Sequence, residues 1–194
     1  MKMNLAQGNT DEASKYLAQI DFSDSPISSM IFQAEKSYYL QEHGAALKLY
    51  RNLQEHYKEN FINVKNGYLA IHMAAVYIEL EMFDDAKTLL SQVAEQYQQK
   101  ILQRNNNPVI YYNMAMVKTL QEEESDALLY MQSAIDAGWS SSWQVDIEPI
   151  FKKVSDNEQF SLMMGGVKAK VATMRTRLAS DQSFVDEQED FFNN

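Results

Sequence analysis

The stretch from Asn107 to Gly138, NPVIYYNMAMVKTLQEEESDALLYMQSAIDAG, leaves this chain little choice of fold. Pro108 stands where a helix can begin, because the first turn has no intrahelical partner for the N–H that proline lacks. Tyr111, Met114, Ala115 and Lys118 follow at spacings of three and four, as do Ala127, Leu128, Met131, Ala134 and Ile135. Such spacings gather side chains into one stripe along a helix. The acidic run Glu122–Glu124 separates the two stripes and reads as a short turn. Ala115 and Ala127 are small enough to let the two backbones approach closely, and Gly138 provides a C-terminal stop. The prediction is an antiparallel pair of amphipathic helices.

The arrangement recurs upstream. Over about 63–102, AAVYIELEMFDDAKTLL supplies Ala74, Tyr77, Phe83, Ala86, Leu89 and Leu90 in the same order, with a second helix running on through Gln98–Leu102. Over about 27–60 the copy holds Ile31, Ala34, Tyr38, Ala46, Leu49, Tyr50 and Leu53, a turn at His43-Gly44, and Ser37 where an aromatic is expected. Ser25 or Ser28 is placed to cap its first helix. Residues 1–26 read as a partial unit, with Gly8-Asn9 as a turn and Leu5, Ala13, Tyr16, Leu17 and Ile20 as an apolar face that needs cover. That uncovered face raises the expectation that the chain is the C-terminal part of a longer polypeptide. The alanines Ala13, Ala46, Ala86 and Ala127 fall 33, 40 and 41 residues apart by subtraction.

This pattern resembles the tetratricopeptide (TPR) repeat, whose period is about 34 residues. The resemblance implies an all-α, TPR-like helical-hairpin solenoid (a right-handed superhelix) with a C-terminal capping segment. The later units are lengthened relative to that period. After Gly138, GWSSSWQVDIEPIFKKVSDNEQFSLMM changes the pattern. It resembles the closing segment that follows TPR arrays in some bacterial multidomain regulators, such as winged-helix transcription regulators and nucleotide cyclases. Trp139, Trp143, Ile150, Phe151 and Phe160 are the residues expected to seal the last repeat. The capping region is expected to span 139–180, with Gly165-Gly166 either separating two helices or bending one, and 181–194 is expected to form an acidic end carrying Phe184, Phe191 and Phe192.

Charge and composition narrow the function. The formal charge of −10 opposes the phosphate neutralisation on which nucleic-acid binding depends, so no nucleic-acid partner is expected. The basic residues Lys168, Lys170, Arg175 and Arg177 are expected on a solvated helix face. No apolar run reaches the roughly 18 residues a spanning helix needs, and no direct membrane contact is expected. The absence of cysteine removes disulfides, thiol nucleophiles and Cys-based metal sites, and fits a cytoplasmic chain or a periplasmic one with an upstream anchor. His43, His56 and His72 form no H-x-x-x-H pair, and the acidic runs Asp84-Asp85 and Glu122–Glu124 lack calcium-loop spacing. No elbow, S-x-x-K pair or phosphate loop is present. No catalytic residue, cofactor or metal is assigned.

What remains is partner binding. The resemblance places the first helix of each unit on a concave groove. Aligning the units puts Ser28, Ile31, Phe32, Glu35 and Tyr39 on that face, followed by Tyr68, Ile71, His72 and Ala75, then Val109, Tyr112, Asn113 and Met116. Phe32, Tyr39, Tyr68, His72, Tyr112, Asn113 and Met116 are the candidate partner-binding residues. Some TPR domains hold a chaperone's C-terminal carboxylate with a Lys/Asn clamp, and only Asn113 matches it here. The groove instead suits an amphipathic helix or apolar peptide from a protein partner, or from an N-terminal part of the same polypeptide. The alternative is homodimerisation, or a spacer role serving an upstream effector domain.

Overall fold

In a computed structural model of the chain, residues 25–180 are described. They form α1 (Pro26–Tyr39), α2 (His43–Tyr57), α3 (Gly67–Glu79), α4 (Phe83–Leu102), α5 (Pro108–Leu120), α6 (Glu124–Asp136), α7 (Ser142–Ile147) and α8 (Glu158–Ser180). Short 3-10 segments occupy Lys58–Asn60 and Pro149–Lys153, and no strand occurs among the described residues. The molecule is all-α. Helices pair in sequence as three hairpins, α1/α2, α3/α4 and α5/α6, and α3 also packs on α5. The first helices begin at Pro26, Gly67 and Pro108, so the hairpin recurs every 41 residues by subtraction.

One turn geometry makes all three hairpins. Gln41, Glu81 and Glu122 each adopt a left-handed conformation, with φ of 60°, 60° and 63°. The next N–H then bonds back into the last helical turn: Glu42 to the Ser37 carbonyl at 2.9 Å, Met82 to Tyr77 at 2.8 Å, Glu123 to Lys118 at 2.9 Å. These bonds satisfy carbonyls that a helix end would otherwise leave without partners. Behind each turn two alanines twelve residues apart, Ala34/Ala46, Ala74/Ala86 and Ala115/Ala127, are all exposed by 3% or less. The lengthening lies at the far end of the hairpins. There α4 runs 20 residues against 15 for α2, which is instead followed by the loop to α3.

Past α6, Gly138 takes a φ of 101° and the Trp139 N–H returns to the Ala134 carbonyl at 2.8 Å, turning the chain back on itself. Trp139, Ile150, Phe151 and Phe160 are buried and continuous with the core. Trp143 differs from the expected sealing role: it lies on the outer side of the short α7 and is 40% exposed. Gly165-Gly166 neither breaks nor ends α8, which continues through them as one helix. Along α8, Val167 is buried while Lys168, Lys170, Arg175 and Arg177 are exposed. Ser25 occupies the N-cap position of α1, but its hydroxyl pairs with that of Ser28 at 2.6 Å instead of capping the backbone. The partial unit read up to Asp24 and the acidic end from Asp181 lie outside the described residues.

Candidate functional site

The site is built where the returning segment meets the first helices of the hairpins. On α1, Glu35, Tyr38 and Tyr39 share one side because they are three and four residues apart. Tyr68 and His72 are one turn apart on α3, and Tyr112, Asn113 and Met116 lie on α5. Glu148 follows α7 at the point where Pro149 enforces an extended backbone (φ −79°, ψ 111°). That break aims its carboxylate inward, toward residues far away in sequence.

There it meets His72. The His72 ring lies between two carboxylates, with Nδ1 2.8 Å from Glu35 Oε1 and Nε2 3.1 Å from Glu148 Oε2. All three residues are buried. Since each ring nitrogen faces an acceptor, the imidazole acts as a double donor, which requires its protonated form. Burial alone would lower the His72 pKa, but the charges and hydrogen bonds of Glu35 and Glu148 overcome it and raise the value to about 9. Burial likewise pushes Glu148 up, and the charge and hydrogen bond of His72, with the Tyr38 hydroxyl, bring it below its ordinary value.

Tyrosines complete the cluster. Tyr38 donates to Glu148 Oε1 at 2.7 Å, Tyr39 to Glu148 Oε2 at 3.1 Å, and Tyr50 to Glu35 Oε1 at 2.9 Å. The Tyr38 ring also stacks on His72, with centroids 4.3 Å apart and planes 12° from parallel. Burial, reinforced by the carboxylates, keeps these three phenols well above their usual pKa and hence as donors. His72 separates the two carboxylates, and among the described residues no group of His, Asp and Glu converges to hold a metal ion. The cluster joins α1, α2, α3 and the segment after α7.

Beside it opens a cavity of about 430 Å³. Tyr39, Tyr68, His72, Tyr112, Asn113 and Met116 line it from the helices, and Trp139, Gln144, Ile147 and Glu148 from the returning segment. Tyr112 and Trp139 stack with centroids 5.1 Å apart, and Phe151 tilts against Tyr112 at 5.6 Å. Asn113 donates to the Tyr97 hydroxyl at 2.9 Å, so its amide is partly committed to the core.

Six of the seven residues chosen from sequence thus meet at one cavity. Phe32 does not line it, because the cavity lies against the second and third hairpins and takes only Tyr39 from α1. Tyr112, Asn113, His72 and Met116 are nearly inaccessible, since the chain's own residues 139–151 cover much of the face on which a partner was expected. The sequence reading did not pair Glu148 with His72. The available signal was a lone carboxylate inside the apolar run Ile147-Glu148-Pro149-Ile150-Phe151. The family models, curated proteins and solved structures compared with this chain give no match.

Proposed function

We propose that this chain is a TPR-type module that binds a segment of a protein partner and performs no catalysis of its own. Support for the repeat reading comes from the 41-residue recurrence of the hairpin, its shared turn and its paired alanines. The observation that carries the binding reading is the cavity between α3, α5 and residues 138–148, where aromatic and apolar walls are joined by a few polar groups such as Asn113, Gln144 and Glu148. Its size suits one or two side chains of a bound segment, held against a face of helices. The resemblance of the closing segment supports a role for such a module in the service of an effector domain in a larger regulator.

The test uses lining residues that are at least partly exposed. Val109 is 43% exposed at the cavity and Tyr68 is half-buried there. With the full chain as bait, Val109→Glu and Tyr68→Glu are expected to abolish recovery of the partner while helical circular dichroism stays unchanged. Leu129→Glu, on an exposed position of α6, is expected to leave recovery intact. Equal recovery by all three variants would remove the cavity from the binding surface.

A further inference from the structure

We propose that Asn66 is a site of spontaneous covalent modification, deamidation through its own backbone, and that the fold holds the reaction back until the start of α3 opens. Asn66-Gly67 is the one Asn-Gly step in the sequence. Packing requires the glycine: a Cβ at position 67 would overlap the Tyr97 hydroxyl, and Tyr97 is 1% exposed. A glycine after asparagine leaves the following backbone nitrogen without a side chain to shield it. That nitrogen attacks Asn66 Cγ, losing its proton to solvent. A five-membered succinimide forms as the bond from Cγ to the side-chain nitrogen breaks and ammonia leaves. Water then opens either carbonyl of the ring. The products carry a carboxylate in place of the amide, as aspartate or as β-linked isoaspartate, which adds one methylene to the main chain.

The folded chain restrains this reaction in two ways. The Gly67 N–H donates to the Asn63 carbonyl at 2.7 Å, so the proton that must leave is engaged. Asn66 has φ −107° and ψ −10°, a backbone already turning into α3, and the ring cannot close until ψ rotates to bring the Gly67 nitrogen alongside Cγ. That rotation would draw Gly67 out from under Tyr97, whose hydroxyl donates to the same Asn63 carbonyl. The restraint is local. Asn63 Oδ1 accepts from the Lys65 and Asn66 N–H groups at 2.8 Å each, and Asn63 Nδ2 donates to the Asn60 carbonyl at 2.6 Å, all within the connection between α2 and α3. Short-range bonds of this kind open at less cost than the helical core. The β-linked product, longer by one methylene, cannot restore the contact between Gly67 and Tyr97, so it marks chains that have opened there.

The experiment incubates the full chain at neutral pH, in buffer and in denaturing urea, and follows the peptide containing Asn66 by mass spectrometry. Isoaspartate is scored by isoaspartyl methyltransferase labelling. In urea Asn66 is expected to convert ahead of every other asparagine, and in buffer at least about tenfold more slowly than in urea. Hydrogen exchange at the Gly67 amide is expected to be slowed by the same factor to within about threefold, because both reactions wait on one opening. Tyr97→Phe, which removes the hydroxyl bonded to Asn63, is expected to speed conversion in buffer about threefold and leave the urea rate unchanged. Gly67→Ala in urea, where folding plays no part, is expected to slow conversion about tenfold. Equal rates in buffer and urea would overturn the gating, and an Asn66 amide that stays intact in urea would overturn the site itself.

Discussion

Replacing His72 with leucine takes away the imidazolium that sits between two buried carboxylates. In the native chain both ring nitrogens are engaged, at 2.8 Å and 3.1 Å, and the imidazole pKa is raised from 6.5 to about 9. At about 1.4 kcal/mol per pH unit, that difference corresponds to roughly 3 kcal/mol of folding free energy. The sign follows from the direction. A base whose pKa is higher in the folded state contributes fully below its unfolded value of 6.5, and the contribution is lost as pH rises through about 9. Glu148 is held below its ordinary 4.5, so its contribution is present above that value and is lost on acidification. Native stability should therefore be greatest between about 4.5 and 6.5 as far as this cluster is concerned, and fall on the alkaline side. In His72→Leu a carboxylate faces leucine and another carboxylate, a loss on the order of 3–5 kcal/mol at neutral pH. One carboxyl will then hold its proton to higher pH in the folded state, so the variant should gain stability as pH falls from 7 to 5 and lose the native alkaline slope. Urea unfolding followed by helical circular dichroism measures both slopes. The range is kept below pH 10, where the buried tyrosines begin to contribute with the same sign. In parallel, imidazole NMR should show His72 protonated until about pH 9. A ring titrating near 6.5, or a leucine variant within about 1 kcal/mol of native with an unchanged slope, would refute the double-donor assignment.

Gly67→Ala is expected to cost about 1–3 kcal/mol by urea unfolding, because an added Cβ would come within 1.9 Å of the Tyr97 hydroxyl oxygen and 2.8 Å of Cζ. Tyr97 cannot give way freely: it is 1% exposed and bonded to Asn63 and Asn113. Glu81→Gly is expected to raise stability by about 0.5–1 kcal/mol, since φ of 60° is strained for any side chain but natural for glycine. A loss at that position would contradict the turn assignment. Trp139→Ala should cost about 3–5 kcal/mol because it empties the stack on Tyr112, whereas Trp143→Ala, at an exposed position, should change stability by less than about 0.5 kcal/mol. Similar effects at the two tryptophans would mean that the returning segment does not pack as described.

The repeating part of this structure was legible because it depends on short-range spacing. Ala115 and Ala127 are twelve residues apart, and the same interval at Ala74/Ala86 and Ala34/Ala46 specifies where helices touch whatever else the chain does. The alignment of units likewise brought Tyr68 with Val109 and His72 with Asn113, and all four line the cavity. The closing segment was less readable. Its composition announced buried aromatics, which holds for Trp139, Phe151 and Phe160. Trp143 could not be told from them by type, because its exposure is decided by the six-residue helix on which it rides. The pairing of Glu148 with His72 spans 76 residues and depends on the direction the chain takes after Gly138. No local period encodes that direction.

That long-range pairing changes how the helical array holds together. In a simple stack of repeats each unit contacts its neighbours, so stability is a sum of local terms and the ends fray. Here Glu148 accepts from Tyr38 and Tyr39, residues 110 and 109 positions earlier, and from His72 on the second hairpin. The segment closing the array therefore bonds directly to its first described hairpin. Releasing it strips a buried imidazolium of one of its two carboxylates and leaves Glu35 as its remaining one, a cost far greater than separating two apolar surfaces of the same small area. The first described hairpin and the closing segment are thus energetically one unit. The cavity is built between that closing segment and the hairpins, so its shape is fixed by the same contacts that tie the closing segment to the first described hairpin. A ligand entering it meets walls whose rearrangement would expose the Glu35–His72–Glu148 cluster to water, which favours a rigid, preformed site over one that moulds itself to its occupant.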